Sequence, residues 1–142
     1  MTTLIPQDGD IPAPEASLVS RPFWDAVARH RLAFQRCTRC STAVHVPSPF
    51  CSSCWSDELV WEEGSGKGTV HSWTVVWRPQ TPAFHVPYAP AIVDMQEGWQ
   101  LLTSIVGCDP AEIRPGMPVA IEFHETARGI VLPYVRPTAG PA

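Results

Sequence analysis

Lysine is almost absent from this chain: Lys67 is the only one, and the other nine basic residues are arginines. The formal charge is −4. Proteins that hold nucleic acid through its phosphates normally carry a basic surplus, because phosphate neutralisation dominates that affinity. The overall balance therefore argues against non-specific nucleic-acid binding, although it leaves room for a local basic face. No stretch approaches the roughly 18 uninterrupted apolar residues that a spanning helix needs, so no membrane helix is expected. The opening MTTLIPQDGDIPAPEASL has neither a basic n-region nor an apolar h-region and does not read as a signal peptide. The expectation is a cytoplasmic protein in a reducing compartment, where Cys-x-x-Cys pairs are more often metal ligands than disulfides. A catalytic set is missing too. His71, His85 and His124 scatter over predicted strands and loops, with no Ser/His/Asp spacing or paired carboxylates to join them. Gly66-Lys67-Gly68 is too short for a phosphate loop and lacks the helix that should follow one. Internal repeats and low-complexity runs are absent.

What is present points to a small, mainly β protein. Apolar residues make up 44% of the 142, enough for a hydrophobic core in one domain or in a domain of about 80 residues with a small module attached. Sixteen prolines and nine glycines favour short strands joined by tight turns, because proline breaks helix interiors. Residues 1–19 lack periodicity and read as a mobile or draped tail. From Ser20 to Arg29 a short amphipathic helix is expected: Pro22 suits a first turn, and Phe23, Trp24 and Val27 share one face. That face serves either its own domain or a partner. Residues 31–36 alternate like a strand, and Leu59-Val60-Trp61 forms another before the Gly64–Gly68 turn.

Beyond that turn, strands are expected near 68–78, 90–96, 100–106, 118–125 and 129–135, with a helical turn possible over 110–114. Both faces of the first carry sizeable side chains, which suits a long curved strand in a closed barrel. Five such strands in about 70 residues match a small OB-type barrel. The resulting division is a tail (1–19), a helix plus ribbon (20–63), a five-stranded barrel (64–137) and a short C-terminal tail (138–142).

The spacing Cys37-x2-Cys40-x10-Cys51-x2-Cys54 carries the chemistry. Two residues between cysteines let a tight knuckle turn both thiolates inward, and two knuckles complete a tetrahedron. The ten residues from Ser41 to Phe50 are long enough to bring the chain back as a hairpin. Four soft thiolates suit one structural zinc with no open position, which replaces a core so small a module cannot build. A redox dithiol, two disulfides or iron are the alternatives, although redox Cys-x-x-Cys motifs usually come singly. His45 lies near the ligands, but the shell is already full, so it reads as a surface residue. Cys108 stands apart as an unpaired thiol.

Taken together, several motifs resemble the thiolase-associated proteins in which a rubredoxin-like zinc ribbon precedes an acyl-CoA-associated OB-fold. They are Phe23-Trp24, Leu32-x-Phe34-x-x-Cys37-x-x-Cys40, Pro49-x-Cys51-x-x-Cys54, Trp61-x-x-x-Ser65-Gly66-x-Gly68-x-Val70, Pro87-Tyr88, Glu97-Gly98, Pro115-Gly116-Met117-x-Val119 and Pro133-Tyr134. The resemblance covers roughly residues 18–137. Ser41 and Trp55 depart from it, standing after the second cysteine of each knuckle where glycine is common. The resemblance implies a non-catalytic companion that binds a thiolase-like or hydratase-like enzyme and helps form its acyl-CoA pocket, in lipid or steroid side-chain catabolism or in biosynthetic acyl transfer.

Two compositional features bear on that role. Arg21, Arg29, Arg31, Arg36 and Arg39 are half of all basic residues and fall within 19 positions. Arginine forks suit the phosphates of coenzyme A, and Arg36 and Arg39 are the candidates; a solvated face or salt bridges to acids is the bland alternative. The six tryptophans exceed what so small a barrel can bury. Trp55 and Trp61 are therefore candidates for a partner interface, or else for the ribbon–barrel junction. A zinc-ribbon and OB-fold nucleic-acid module is the competing class, since strand aromatics can stack on bases. The acidic pairs Asp57-Glu58 and Glu62-Glu63 speak against it. A stand-alone enzyme is the third possibility.

Overall fold

Pro22 occupies the first turn of α1 (Arg21–Ala28), the one α-helix among residues 2–138, which this computed structural model describes. Phe23, Ala26 and Val27 form its buried face. His30, with φ 59°, enters the left-handed region and ends the helix, while Arg31 N–H closes back on the Ala26 carbonyl at 2.9 Å. The chain then enters a three-stranded antiparallel sheet ordered β2-β1-β3, built from β1 (Ala33–Cys37), β2 (Ala43–Val44) and β3 (Leu59–Glu63). The long β1–β3 pairing runs from Ala33 opposite Glu63 to Cys37 opposite Leu59.

Five further strands close a barrel: β4 (Lys67–Trp73), β5 (Ala89–Met95), β6 (Gln100–Ile105), β7 (Pro118–Glu125) and β8 (Val131–Pro137), ordered β4-β5-β6-β8-β7. Pairing of β4 with β7 seals it, and the order is that of an OB-fold. Alternation on β5 is complete, with Ala89, Ala91, Val93 and Met95 pointing inward. A 3₁₀ turn at Pro110–Glu112, capped by the Asp109 side chain, fills the anticipated place between β6 and β7. The first barrel strand is shorter than 68–78. A bulge between Val70 and Ser72 shifts its register, and after Trp73 only the isolated Val76–Tyr88 bridge continues the pairing. Gly68 shows why a glycine leads in: a Cβ there would lie 2.5 Å from the Asp94 carbonyl oxygen.

Helix, ribbon and barrel share one core. Phe23 and Val27 of α1, with Leu32 and Phe34 leading into and on β1, join Val93, Leu101, Ile105, Val119 and Val135 of the barrel. Trp99 is the hinge of this packing, 3% exposed, with its ring stacked on Phe34 at 5.5 Å. It shows that a tryptophan in this barrel can be fully interior.

The N-terminal residues drape over the barrel as a strap. Leu4, 2% exposed, exchanges backbone hydrogen bonds with the 107–108 segment, donating to the Cys108 carbonyl and accepting from Gly107, each at 2.8 Å. Gln7 clamps the His85 backbone with both ends of its amide at 2.8 Å, and its own N–H reaches the Tyr134 hydroxyl at 3.1 Å. Asp8 pairs with His85 and Asp10 with Arg128. Two apolar anchors, Leu4 and buried Ile11, suffice to seat an otherwise polar, proline-rich segment. Leu4→Ala is expected to cost about 2–4 kcal/mol and to expose the strap first. Accelerated amide exchange at Leu4 and Gln7, with β5 protection kept, is the check. Of the C-terminal tail at 138–142, residues 139–142 lie outside the described residues.

Candidate functional site

Both cysteine knuckles are built alike. In the first, Ser41 N–H donates to the Cys37 carbonyl at 2.9 Å and Cys37 N–H to the Thr42 carbonyl at 2.9 Å. In the second, Trp55 N–H donates to Cys51 at 3.0 Å and Cys51 N–H to Ser56 at 2.8 Å. This turn drives the residue after the second cysteine into the left-handed region, with φ 67° at Ser41 and 64° at Trp55. Glycine would take that conformation freely, whereas a residue bearing a Cβ does so at a cost of about 1–2 kcal/mol.

The hairpin between the knuckles is braced from within. Gln35, 6% exposed, donates from Nε2 to the Ser48 carbonyl at 2.9 Å and accepts from Ser48 N–H at 2.8 Å. Its buried amide is thereby partnered at both ends.

The four Sγ atoms lie within 4.8 Å of one another, with Cys37–Cys54 at 3.6 Å and Cys40–Cys51 at 3.5 Å. Zinc–sulfur bonds of about 2.3 Å set the edge of a tetrahedron near 3.8 Å, so these sulfurs stand at zinc-binding separations. Cys37 and Cys51 are buried, Cys54 half-buried and Cys40 exposed. Before metal binds, the thiols titrate unequally. The Thr42 hydroxyl, then its amide, lower Cys40 to about 6. The Ser56 amide pulls Cys54 down, but burial and the three neighbouring thiols outweigh it and push Cys54 up to about 11. A divalent cation resolves that conflict by taking all four as thiolates. These are the ligands of a single structural zinc site.

Around the metal, Arg36 is already engaged. Its Nε donates to Glu62 at 3.0 Å, Nη1 to the Ser41 carbonyl at 2.9 Å, and its guanidinium lies 5.1 Å over Phe34. Arg31 reaches Glu63 at 3.4 Å. Arg39, inside the first knuckle, is exposed and makes no ion pair among the described residues. The two candidate tryptophans diverge: Trp55 is 77% exposed, whereas Trp61 on β3 is half-buried against the common core. Val46, Phe50 and Val60 are also exposed on the ribbon; periodicity could not single out Val46 and Phe50, which lie in the loop between the knuckles, and Val60 is an outward-facing position of β3.

His45 is a correction. Instead of facing solvent, its ring is tucked 5.3 Å from Phe23 and 4.9 Å from Trp99, with Nδ1 buried and unpartnered. Burial lowers its pKa to about 4 and so keeps the ring neutral. The hairpin tip folds back onto α1 and the barrel, a tertiary contact that ligand spacing does not encode. Elsewhere His71 pairs with Asp94 at 3.0 Å, His85 with Asp8 at 2.5 Å, and His124 with Glu122, in separate parts of the fold. Arg136, then His124, hold the Glu122 carboxyl below the usual range.

Residues 24–60 match a family model described as ChsH2, rubredoxin-like zinc ribbon domain, and residues 61–124 match ChsH2, C-terminal OB-fold domain. The chain is 40% identical over 116 residues to a probable enoyl-CoA hydratase alpha subunit of Thermomonospora curvata, covering 81% of this chain and 36% of that protein. It is 37% identical over 125 residues to the 3-oxo-4,17-pregnadiene-20-carboxyl-CoA hydratase alpha subunit of Mycobacterium tuberculosis, covering 84% and 39%. It thus spans just over a third of each of those subunits. Among solved structures, a chain of an Ltp2-ChsH2(DUF35) aldolase superimposes with a TM-score of 0.81 at 37% identity, covering 88% of this chain and 98% of that one.

Proposed function

This chain belongs to the ChsH2 family, which joins a rubredoxin-like zinc ribbon to a C-terminal OB-fold, and on that premise we propose that it is a non-catalytic accessory subunit. In this reading it binds a thiolase-like acyl-CoA enzyme (an aldolase, thiolase or acyltransferase) or a hydratase-like one, and helps form the acyl-CoA site, in lipid or steroid side-chain metabolism. The observation that carries it is Trp55. A large aromatic is 77% exposed on a backbone conformation that disfavours any side chain. A partner surface that desolvates the ring gives a reason to keep it. The similarity to an aldolase chain and to hydratase alpha subunits supports the same class of partner.

At the shared site, Arg39 is the freer of the two candidate phosphate ligands, and Arg36 must leave Glu62 to take part. Co-expression with thiolase-like and hydratase-like proteins encoded alongside should recover a stable complex with one zinc per chain. Failure of every such protein to co-purify would overturn the subunit reading. In the assembled complex, Arg39→Ala should weaken acyl-CoA about tenfold or more, and Arg36→Ala less. Unchanged affinity in the double variant would remove both arginines from the CoA site.

A further inference from the structure

Away from the metal and the arginines, the strap, α1, the hairpin tip, β6 and β8 enclose a cleft of about 650 Å³. That volume falls within the range of small-molecule sites, roughly 300–1,000 Å³. Ile11, Phe23, Trp24, Phe84, Leu101 and Leu132 make most of its wall apolar. Glu15 is the one lining side chain with a full charge, and there is no lining arginine or lysine among the described residues. The cleft is therefore unsuited to a phosphate or a nucleotide and suited to an uncharged, apolar body.

Much of the polar wall is already satisfied internally. Ser17 and Ser20 share a hydroxyl hydrogen bond at 3.0 Å, Thr103 donates to the Pro133 carbonyl at 2.8 Å, and the Gln7 amide is spent on His85. His45 differs. His45 itself lines the cleft, and with Nδ1 sealed and unpartnered a proton there would be a buried orphan donor, which favours the tautomer that carries its proton on Nε2. Tyr134, 4% exposed, accepts the Gln7 N–H on its phenol oxygen and keeps its own hydrogen to donate. Each of these two lining residues therefore has a hydrogen to donate.

We propose that this cleft is a small-molecule site for a predominantly apolar, lipid-like ligand bearing an acceptor oxygen, a carbonyl or hydroxyl, which His45 and Tyr134 meet as donors. The site belongs to this chain alone and requires no partner subunit, so it stands apart from the accessory-subunit reading. Linear acyl groups and fused alicyclic rings both offer that chemistry.

The test is an amide NMR titration of the zinc-loaded chain, without partner, using a linear ten-carbon methyl ketone and decalone, a fused-ring ketone of equal carbon count. Saturable shifts confined to the strap, β6 and β8 are expected, and the tighter of the two ketones identifies the ligand shape. Leu102→Glu, at a rim position 71% exposed, should weaken both about tenfold or more without disturbing the fold. His45→Phe keeps the ring packing and should weaken ketones about tenfold, shrinking their advantage over decalin to what the Tyr134 hydroxyl alone supplies. Zinc content and spectral dispersion report that the variants are folded. Absence of saturable binding, or binding unchanged in both variants, would overturn the proposal.

Discussion

Cys51→Ser is expected to dismantle the ribbon while the barrel stays folded. Cys51 is 1% exposed, and the apolar cluster it belongs to contains besides it only Cys37 and Val44, with Cys54 and Leu59 packed against them. Such a cluster cannot offset the entropy of ordering some twenty residues at about 1–2 kcal/mol each. The zinc does that instead, since metal binding in modules of this kind is worth on the order of 10 kcal/mol or more and exists only in the folded state. Serine removes one thiolate and leaves an open, weakly bound ion. Zinc should drop from one per chain to none, and amides from Thr38 to Glu58 should lose exchange protection. Chelation of the unaltered protein should reproduce both effects, and acid should do so as protons compete for the thiolates. Barrel amides on β5 and β7 should stay protected, because Val93, Val119 and Val135 draw their packing from one another. Retention of one zinc and a protected hairpin in Cys51→Ser would contradict this account of the ribbon.

The sequence made the metal centre legible because its geometry is local. Two residues between cysteines define each knuckle, and ten between knuckles allow the return. The barrel was legible where alternation is clean, as on β5, and less so at β4, where the bulge breaks the period that made a longer strand look plausible. His45 shows the limit of such reading. Its neighbours Phe23 and Trp99 are 22 residues before it and 54 after, so the packing that buries Nδ1 is written in no short pattern. The strap is similar: Leu4 and Ile11 look incidental among prolines and acids until the barrel supplies the surface they cover. Trp55 and Trp99 pose the sharpest case. Composition alone treats them alike, yet one lies in the core and the other projects into solvent.

That contrast yields the last prediction. Trp55→Ala should leave folding stability near that of the unaltered chain, because the ring is 77% exposed and alanine inherits the same left-handed backbone. Trp55→Gly should be at least as stable, since relief of the φ 64° strain offsets glycine's extra freedom in the unfolded chain. Against the partner enzyme, however, either change should weaken binding by about 2–4 kcal/mol, roughly 30- to 1,000-fold, if the indole is a buried anchor of the interface. Trp61→Ala should show the reverse signature. Its ring is half-buried against the common core, so it should lose about 2–3 kcal/mol of folding stability and only modest partner affinity. Paired thermal unfolding and surface-binding measurements separate the two. Wild-type affinity in Trp55→Ala would mean that the partner docks elsewhere, and that the strained, exposed knuckle has no part in assembly.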